Sequence, residues 1–189
     1  LVSRRSRHVA MRRHDGAVVL VGGFDAGRDA AFDSIEVYSP TTRAFGVDQA
    51  VLPVALGAPA TARSANGDLL LVGGASVSGG VETPLATTGF FLPDASALAP
   101  GGDLSVARSG GCLGLISSTD AVAFGGTATN QLDLGHADGN TWSWTGFAPA
   151  DFDSTAVLGC LGLSSGSVFV LGTSTATTGL WVYPTDGTG

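Results

Sequence analysis

The chain has 189 residues, of which 44% are hydrophobic and only 13% are charged, and its formal net charge is −7. Disordered chains are charge-rich and poor in apolar residues, so this composition excludes intrinsic disorder; the length suits one domain or part of a larger one. No stretch approaches the roughly 20 apolar residues of a membrane-spanning helix, so we expect no membrane span. The negative charge argues against a nucleic-acid partner, and we expect the N-terminal arginines to form a solvated rim: Arg4, Arg5, Arg7, Arg12 and Arg13.

A short apolar run that ends in paired glycines recurs along the chain. The pairs are Gly22-Gly23, Gly73-Gly74 and Gly125-Gly126, and a fourth run ends at Gly172-Thr173. The copies are about 50 residues apart, which is the period of a repeat built from one supersecondary unit. The sequence therefore predicts four structural repeats.

Each repeat is predicted to begin with a β-hairpin. A turn signal precedes every apolar run, and Asp-Gly and Asn-Gly pairs tolerate the positive φ angles of tight hairpin turns; the signals are Asp15-Gly16, Asn66-Gly67, Ser118-Thr119-Asp120 and Ser165-Gly166. The runs after these turns are almost continuously apolar, as in strands that are covered on both faces. Each repeat thus has a first strand, a turn and a buried second strand.

Two further strands are predicted in each repeat. The third strands, at 35–38, 89–91 and 180–183, each end in an aromatic residue. After a turn, the fourth strands contain Phe45, Leu98 or Trp142. Four antiparallel strands per repeat without helical periodicity predict an all-β fold, a β-propeller in one domain over 1–189. Its blades are expected at about 4–50, 51–102, 103–147 and 148–189, with the last one incomplete.

The pattern resembles the kelch repeat, whose blades carry a double glycine at the end of the second strand and aromatics on the third and fourth. The segment from Tyr38 to Phe45 is similar to the family's join between those two strands, and Arg108-Ser109-Gly110-Gly111 is similar to its opening of the first strand. Leu98 and Thr173 depart from the pattern. The resemblance implies a propeller of six or seven blades, so we expect this chain to be a piece of a longer one; a four-bladed ring is the alternative.

One face of the predicted blades is a candidate binding surface. The loops between second and third strands lie on the same face as the links between blades, and the loops Phe24–Ser34 and Ala75–Thr88 are the longest. Because loops carry function on rigid scaffolds, we take as candidate binding residues Asp25, Arg28, Asp29, Asp33, Arg7 and Arg108. We expect a protein or glycan ligand; an acidic face without a specific partner is the alternative. Further carboxylates on this face are Asp48, Asp103, Asp151 and Asp153.

No metal, cofactor or catalytic residue is expected. The acidic residues of the first loop lack the spacing of an EF-hand. Copper oxidases on kelch-like propellers need two His and two Tyr around the metal, but Tyr38 and Tyr183 are the only tyrosines. No nucleophile–His–Asp arrangement can be argued from these spacings. The sequence therefore favours a non-catalytic binding module, secreted or at the surface of a bacterial cell. The alternative is a fragment of a propeller enzyme, an oxidase or a sugar isomerase or hydrolase, with its site in other blades; a third possibility is a purely structural element.

Two cysteines occupy equivalent places on neighbouring first strands. They are Cys112 and Cys160, and each follows a glycine in the pattern Gly-Cys-Leu-Gly-Leu. A disulfide requires a Cα–Cα distance of about 4.4–6.8 Å, and inner strands can stand farther apart than that. The sequence leaves both states open and favours two buried thiols. Self-association and further blades of the parent chain are the remaining partners that we consider.

Overall fold

The structure of the protein is a computed structural model, which describes residues 1–64, 67–91, 98–126, 131–139, 141–148, 156–163, 166–173 and 178–183. These residues contain strands and connecting turns but no helix, so no helix in this part of the chain could cross a membrane. The expected all-β class is confirmed, with every strand pairing antiparallel.

The first half of the chain forms two four-stranded sheets and a separate hairpin. The first sheet has the order β1-β2-β3-β4, with strands Val9–Arg12, Val18–Val21, Ser34–Ser39 and Ala44–Val51. The next six strands are β5 Ala60–Arg63, β6 Leu69–Val72, β7 Ala75–Ser78, β8 Val81–Pro84, β9 Thr88–Phe91 and β10 Ala99–Pro100. The second sheet joins β5-β6-β9-β10 in that order, while β7 and β8 pair only with each other.

The second half repeats the arrangement. The third sheet has the order β11-β12-β13-β14, with strands Cys112–Leu115, Asp120–Phe124, Leu132–Asp138 and Thr141–Phe147. The fourth sheet has three strands among the described residues, β15 Ala156–Gly162, β16 Val168–Thr173 and β17 Thr178–Tyr183. The turn signals at Asn66 and Ser165 lie outside the described residues.

The predicted loop 75–88 contains a β-hairpin that the sequence reasoning missed. β7 and β8 pair across a two-residue turn at Gly79-Gly80, where φ is 58° and 75°. A turn of this kind needs positive φ at both central residues, which glycine adopts without a steric penalty. The Gly-Gly pair was therefore an available signal for these strands.

Successive sheets pack face to face, because alternate residues of each second strand point in opposite directions. In β6, Leu69 and Leu71 belong to the core shared with the first sheet, whereas Leu70 and Val72 belong to the core shared with the third. In β12, Val122 and Phe124 likewise face the fourth sheet. This explains why the second strands are apolar throughout instead of alternating.

The double glycines allow neighbouring sheets to approach closely. Gly22, Gly73 and Gly125 have φ angles of 60°, 66° and 62°. A Cβ on Gly22 would overlap the carbonyl oxygen of Leu56, and one on Gly73 would overlap that of Arg108. The second glycine then bonds to the same carbonyl group, with Gly23 N–H donating to Leu56 O and Gly74 N–H to Arg108 O, both at 2.9 Å.

A disulfide joins the third and fourth sheets. Cys112 on β11 is bonded to Cys160 on β15, with their Cα atoms 5.8 Å apart. The expectation of two buried thiols is therefore wrong: the first strands of these two sheets lie close enough to be bridged. The bond closes a sequence separation of 48 residues, for which chain-entropy models give a stabilisation of about 4 kcal/mol.

The close approach at the first glycine can be tested by substitution. We expect Gly73→Ala to lower the free energy of unfolding by about 3 kcal/mol or more, because it adds backbone strain to a steric overlap. Gly79→Ala shares the positive φ but has open space around its Cβ, and Gly46→Ala has open space without a positive φ. We expect a loss of about 1 kcal/mol for Gly79→Ala and little change for Gly46→Ala in urea unfolding. Equal losses at Gly73 and Gly79 would contradict the packing argument.

Candidate functional site

The links between sheets and the loops after the double glycines meet at one end of the strands, which we call the loop face. Ser6 and Phe24 exchange two backbone hydrogen bonds there, at 2.8 and 2.9 Å. Gly57 and Ala75 exchange two bonds in the same way, and Arg108 N–H donates to Leu85 O at 3.0 Å. The hairpin turns at 13–17 and 116–120 lie at the other end, which we call the turn face. The predicted longest loops, 24–34 and 75–88, therefore belong to the loop face.

These two loops pack against each other. Phe24 is fully buried in a small core with Ala58 and Ala75. The Arg28 guanidinium lies over the Phe24 ring, 5.3 Å from its centroid, and forms an ion pair with Glu82 of β8. Residues 24–33 and the β7–β8 hairpin thus form one surface, which we call the loop platform.

The predicted carboxylates of the first loop have different roles. Asp25 accepts hydrogen bonds from the backbone N–H groups of Asp29 at 2.8 Å and Ala30 at 3.3 Å, so its side chain fixes the shape of the loop. Asp29 and Asp33 are exposed. Among the candidate acidic residues of this loop, these two are the ones that the structure leaves accessible to a ligand.

Arg7 is exposed and holds an unusual backbone conformation. Its φ is 52°, and the equivalent Ala58 and Gly110 of the next two repeats have φ angles of 54° and 68°. A hydrogen bond runs from Ala58 N–H to Arg7 O at 2.9 Å, and another from Gly110 N–H to Ala58 O at 3.0 Å. Residues other than glycine adopt this left-handed backbone conformation only at a cost in energy. The hydrogen bonds between successive repeats offset that cost.

Arg108, predicted as a ligand contact, lies in the interior instead. Its side chain is 1% exposed and forms an ion pair with Asp133 of β13. Its Nη1 also donates to Gly125 O at 2.8 Å, and Asp133 accepts a further bond from Ser105 N–H at 2.7 Å. Because the guanidinium is committed to groups of its own repeat, a ligand on the loop face cannot reach it.

The first repeat contains the same arrangement. Arg5 donates to Gly22 O at 2.8 Å and forms an ion pair at 2.7 Å with Glu36 of β3, and both side chains are fully buried. The expectation that Arg5 belongs to a solvated rim is therefore wrong. Glu36 also accepts bonds from the backbone N–H groups of Val2 and Ser3. Burial acts to raise the pKa of Glu36, but these donors and Arg5 outweigh it and hold the pKa below its usual value. We call each such unit an arginine clasp.

The second repeat lacks both partners of the clasp. Arg5 and Arg108 each stand 17 residues before the first glycine of their repeat, and the corresponding residue before Gly73 is Leu56. The position of Glu36 and Asp133 on the third strand is taken by Gly89, which pairs with Leu71 as Glu36 pairs with Leu20. An arginine and its carboxylate are thus present or absent together in these three repeats. This covariation between repeats was the available sequence signal for a structural Arg108.

The remaining polar groups add no reactive centre in the described part of the chain. Asp48 accepts a bond from Ala50 N–H, and Asp103 is exposed, whereas Asp151 and Asp153 lie outside the described residues. On the turn face, Asp120 bonds to both His136 and Ser117. The bond to His136 contributes most to lowering the pKa of Asp120. Ser117 donates to the carboxylate and not to the imidazole, so the three do not form a nucleophile–base relay. No group of three metal-ligating side chains occurs among the described residues.

No family model matches the chain, and no curated protein matches it. Its fold is similar to a solved structure titled "Structure of YjhT", with a TM-score of 0.68 and 14% sequence identity. The alignment covers 89% of this chain and 58% of that one, so the chain spans little more than half the length of its structural neighbour. At this identity the likeness concerns the fold alone.

The third-repeat clasp can be tested with a double variant. Asp133→Ala leaves a buried unpaired guanidinium, and we expect it to lower the free energy of unfolding by about 3–5 kcal/mol. Arg108→Leu/Asp133→Ala restores the neutral state of the second repeat, so we expect urea unfolding to show a smaller loss than for Asp133→Ala alone. Asp120→Ala, which breaks an exposed pair with His136, should cost less than about 1 kcal/mol. If the double variant is as unstable as Asp133→Ala, the unpaired charge of Arg108 is not the cause of the lost stability.

Proposed function

We propose that this chain is part of a kelch-like β-propeller that binds a protein or a glycan through its loop face and performs no catalysis. The propeller is supported by the repeat of about 50 residues, by the face-to-face packing of successive sheets and by the likeness in fold to a longer solved chain. The first strands of the second, third and fourth sheets also adjoin one another, as inner strands around an axis do.

The loop platform is the observation that carries the binding function. The loops 24–34 and 75–88 are longer than a connection between strands requires. They contact each other through the buried Phe24 side chain and through the ion pair of Arg28 with Glu82. A loop fixed in this way has less conformational entropy to lose on binding than a free one. Such a surface is typical of recognition sites, in which a rigid scaffold presents loops.

The exposed groups of the platform indicate the chemistry of the partner. The Arg7 guanidinium lies 5.9 Å from the Phe24 ring centroid, and Asp29 and Asp33 of the platform are exposed. Carboxylates accept hydrogen bonds from sugar hydroxyls or from basic side chains, and a guanidinium donates several in a fixed plane. This combination suits a polar partner, either a glycan or a protein surface.

The proposal places the protein outside the cytoplasm. Structural disulfides persist in oxidising compartments and are rare in the reducing cytosol, and Cys112–Cys160 joins two sheets of the core. A secreted or surface location also agrees with a function in recognition.

We further propose that more blades of the same parent chain pack on the fourth sheet. The residue before the first glycine is buried against the following sheet in three repeats, where Val21, Val72 and Phe124 are at most 1% exposed. In the fourth repeat the equivalent Leu171 is 44% exposed. A following sheet would cover it in the same way.

The binding function is tested by screening the purified chain on a glycan array and against immobilised proteins of its source, and by measuring each ligand again with two double variants. Arg7→Ala/Asp29→Asn alters the loop platform, whereas Arg12→Ala/Asp138→Asn removes the same charges from exposed positions elsewhere on the first and third sheets. We expect the first to weaken binding about tenfold or more and the second to leave it within about twofold.

Equal effects of the two double variants would contradict the loop platform as the binding surface. Failure to retain any glycan or protein would contradict the binding function itself.

A further inference from the structure

A cavity lies far from the loop platform, between the second and third sheets at the turn face. Its volume is about 240 Å³. Residues from both sheets line it, among them Ser64, Asp68, Leu70 and Phe90 of the second sheet and Ser118 and Trp142 of the third. It is small compared with the roughly 300–1,000 Å³ of cavities that hold drug-sized ligands, so it suits a ligand of few atoms.

The cavity has an apolar base and a polar mouth. Leu70, Phe90 and Trp142 are buried residues of the core between the two sheets, and they supply its base. The hairpin turns supply the mouth, with Ser64 and Asp68 from one sheet and Ser118 and Thr119 from the other. Apolar walls with a few convergent polar groups are the usual composition of a small-molecule site.

Part of the polar mouth already forms internal hydrogen bonds, and part does not. Ser64 Oγ donates to Asp68 Oδ2 at 3.3 Å and accepts from Asp68 N–H at 3.1 Å, which fixes the carboxylate. Thr119 Oγ1 donates to Asp120 at 3.1 Å. Within the described residues, neither Asp68 Oδ1 nor Ser118 Oγ forms a hydrogen bond. A carboxylate oxygen and a hydroxyl, one from each sheet, are therefore available to a ligand.

The available groups favour a ligand with several hydroxyls. Among the residues that the structure describes, no arginine or histidine lines the cavity, so they offer no cation to hold a phosphate or carboxylate. An ammonium ion could donate both to Asp68 and to Ser118 Oγ, but it offers no acceptor for the hydroxyl proton of Ser118, because an ammonium group only donates. A hydroxyl group donates to the carboxylate and accepts from the serine, so a polyol satisfies both sides.

We propose that this cavity is a binding site for a small neutral polyhydroxylated ligand of the monosaccharide class, with its hydroxyls on Asp68 and Ser118 and its apolar face toward Phe90 and Trp142. The site is independent of the proposed function, because it lies at the opposite end of the strands from the loop platform. It joins two sheets, so a bound ligand also bridges the second and third repeats.

The site is tested by NMR titration of the ¹⁵N-labelled chain with glucose, galactose, mannose and N-acetylglucosamine, each measured separately, together with ethylamine and inorganic phosphate. We expect at least one sugar to shift the Trp142 indole signal and the Ser118 amide with a Kd of about 1 mM or lower. Ethylamine and phosphate should leave these signals unchanged.

Substitutions then locate the bound sugar. Asp68→Asn removes the charged acceptor, and we expect it to weaken binding about tenfold or more; Ser118→Phe, at an exposed turn position, should abolish binding by filling the mouth. The matched control Asp103→Asn makes the same change at an exposed position outside both the cavity and the loop platform and should leave the sugar affinity unaltered. Asp29→Asn is measured as well, because it reports on binding at the loop platform. The amide spectrum of each variant checks that the fold is retained.

Three results would overturn the proposal. One is the absence of any shift with all four sugars. Another is loss of binding in Asp29→Asn but not in Asp68→Asn, which would place the sugar on the loop platform. The third is a response of the Trp142 and Ser118 signals to ethylamine or phosphate instead of a sugar.

Discussion

The close backbone contact between successive repeats is the constraint on which the rest of the structure depends. In the first two pairs, the first glycine leaves room for the carbonyl group that opens the next repeat, that of Leu56 or Arg108, and the second glycine donates a hydrogen bond to that group. A side chain at the first position would separate the sheets, and their apolar faces would then no longer pack at the density of a protein interior. The spacing of the glycines therefore sets the distance between sheets as well as the end of each second strand.

Arg108 shows how one residue joins two repeats. Its backbone carbonyl accepts from Gly74 of the second repeat, while its side chain binds Gly125 and Asp133 of the third. Burial lowers the pKa of Arg108, and Asp133 offsets part of that effect by stabilising the charged form. The clasp thus fixes the start of a repeat relative to its own third strand. Because the loops of the loop face are attached to these segments, the clasp also determines where the loops lie.

The fold class, the hairpins and the strand order within repeats could be predicted, because glycine pairs, turn residues and apolar runs are local signals. Three features were not predicted, although the sequence held a signal for two of them, the role of Arg108 and the β7–β8 hairpin. The role of Arg108 depends on a carboxylate 25 residues away, and a charged residue is more often exposed than buried. The disulfide depends on the distance in space between two inner strands, and the sequence separation of Cys112 and Cys160 does not determine that distance. The β7–β8 hairpin was missed because a long loop was expected where Gly79-Gly80 makes a turn. For the proposed binding surface, the sequence indicated that the two long loops share a face but not that they pack together.

The contact between repeats is tested most directly by amide hydrogen exchange, which requires no substitution. Gly23 and Gly74 lie beyond the ends of their strands, yet their N–H groups are bonded to the next repeat. We expect both to be protected to nearly the same degree as the central amides of β2 and β6, and the exposed amide of Gly27 to exchange rapidly. Exchange of Gly23 and Gly74 as fast as that of Gly27 would contradict the account, because the sheets would then not be joined through these glycines.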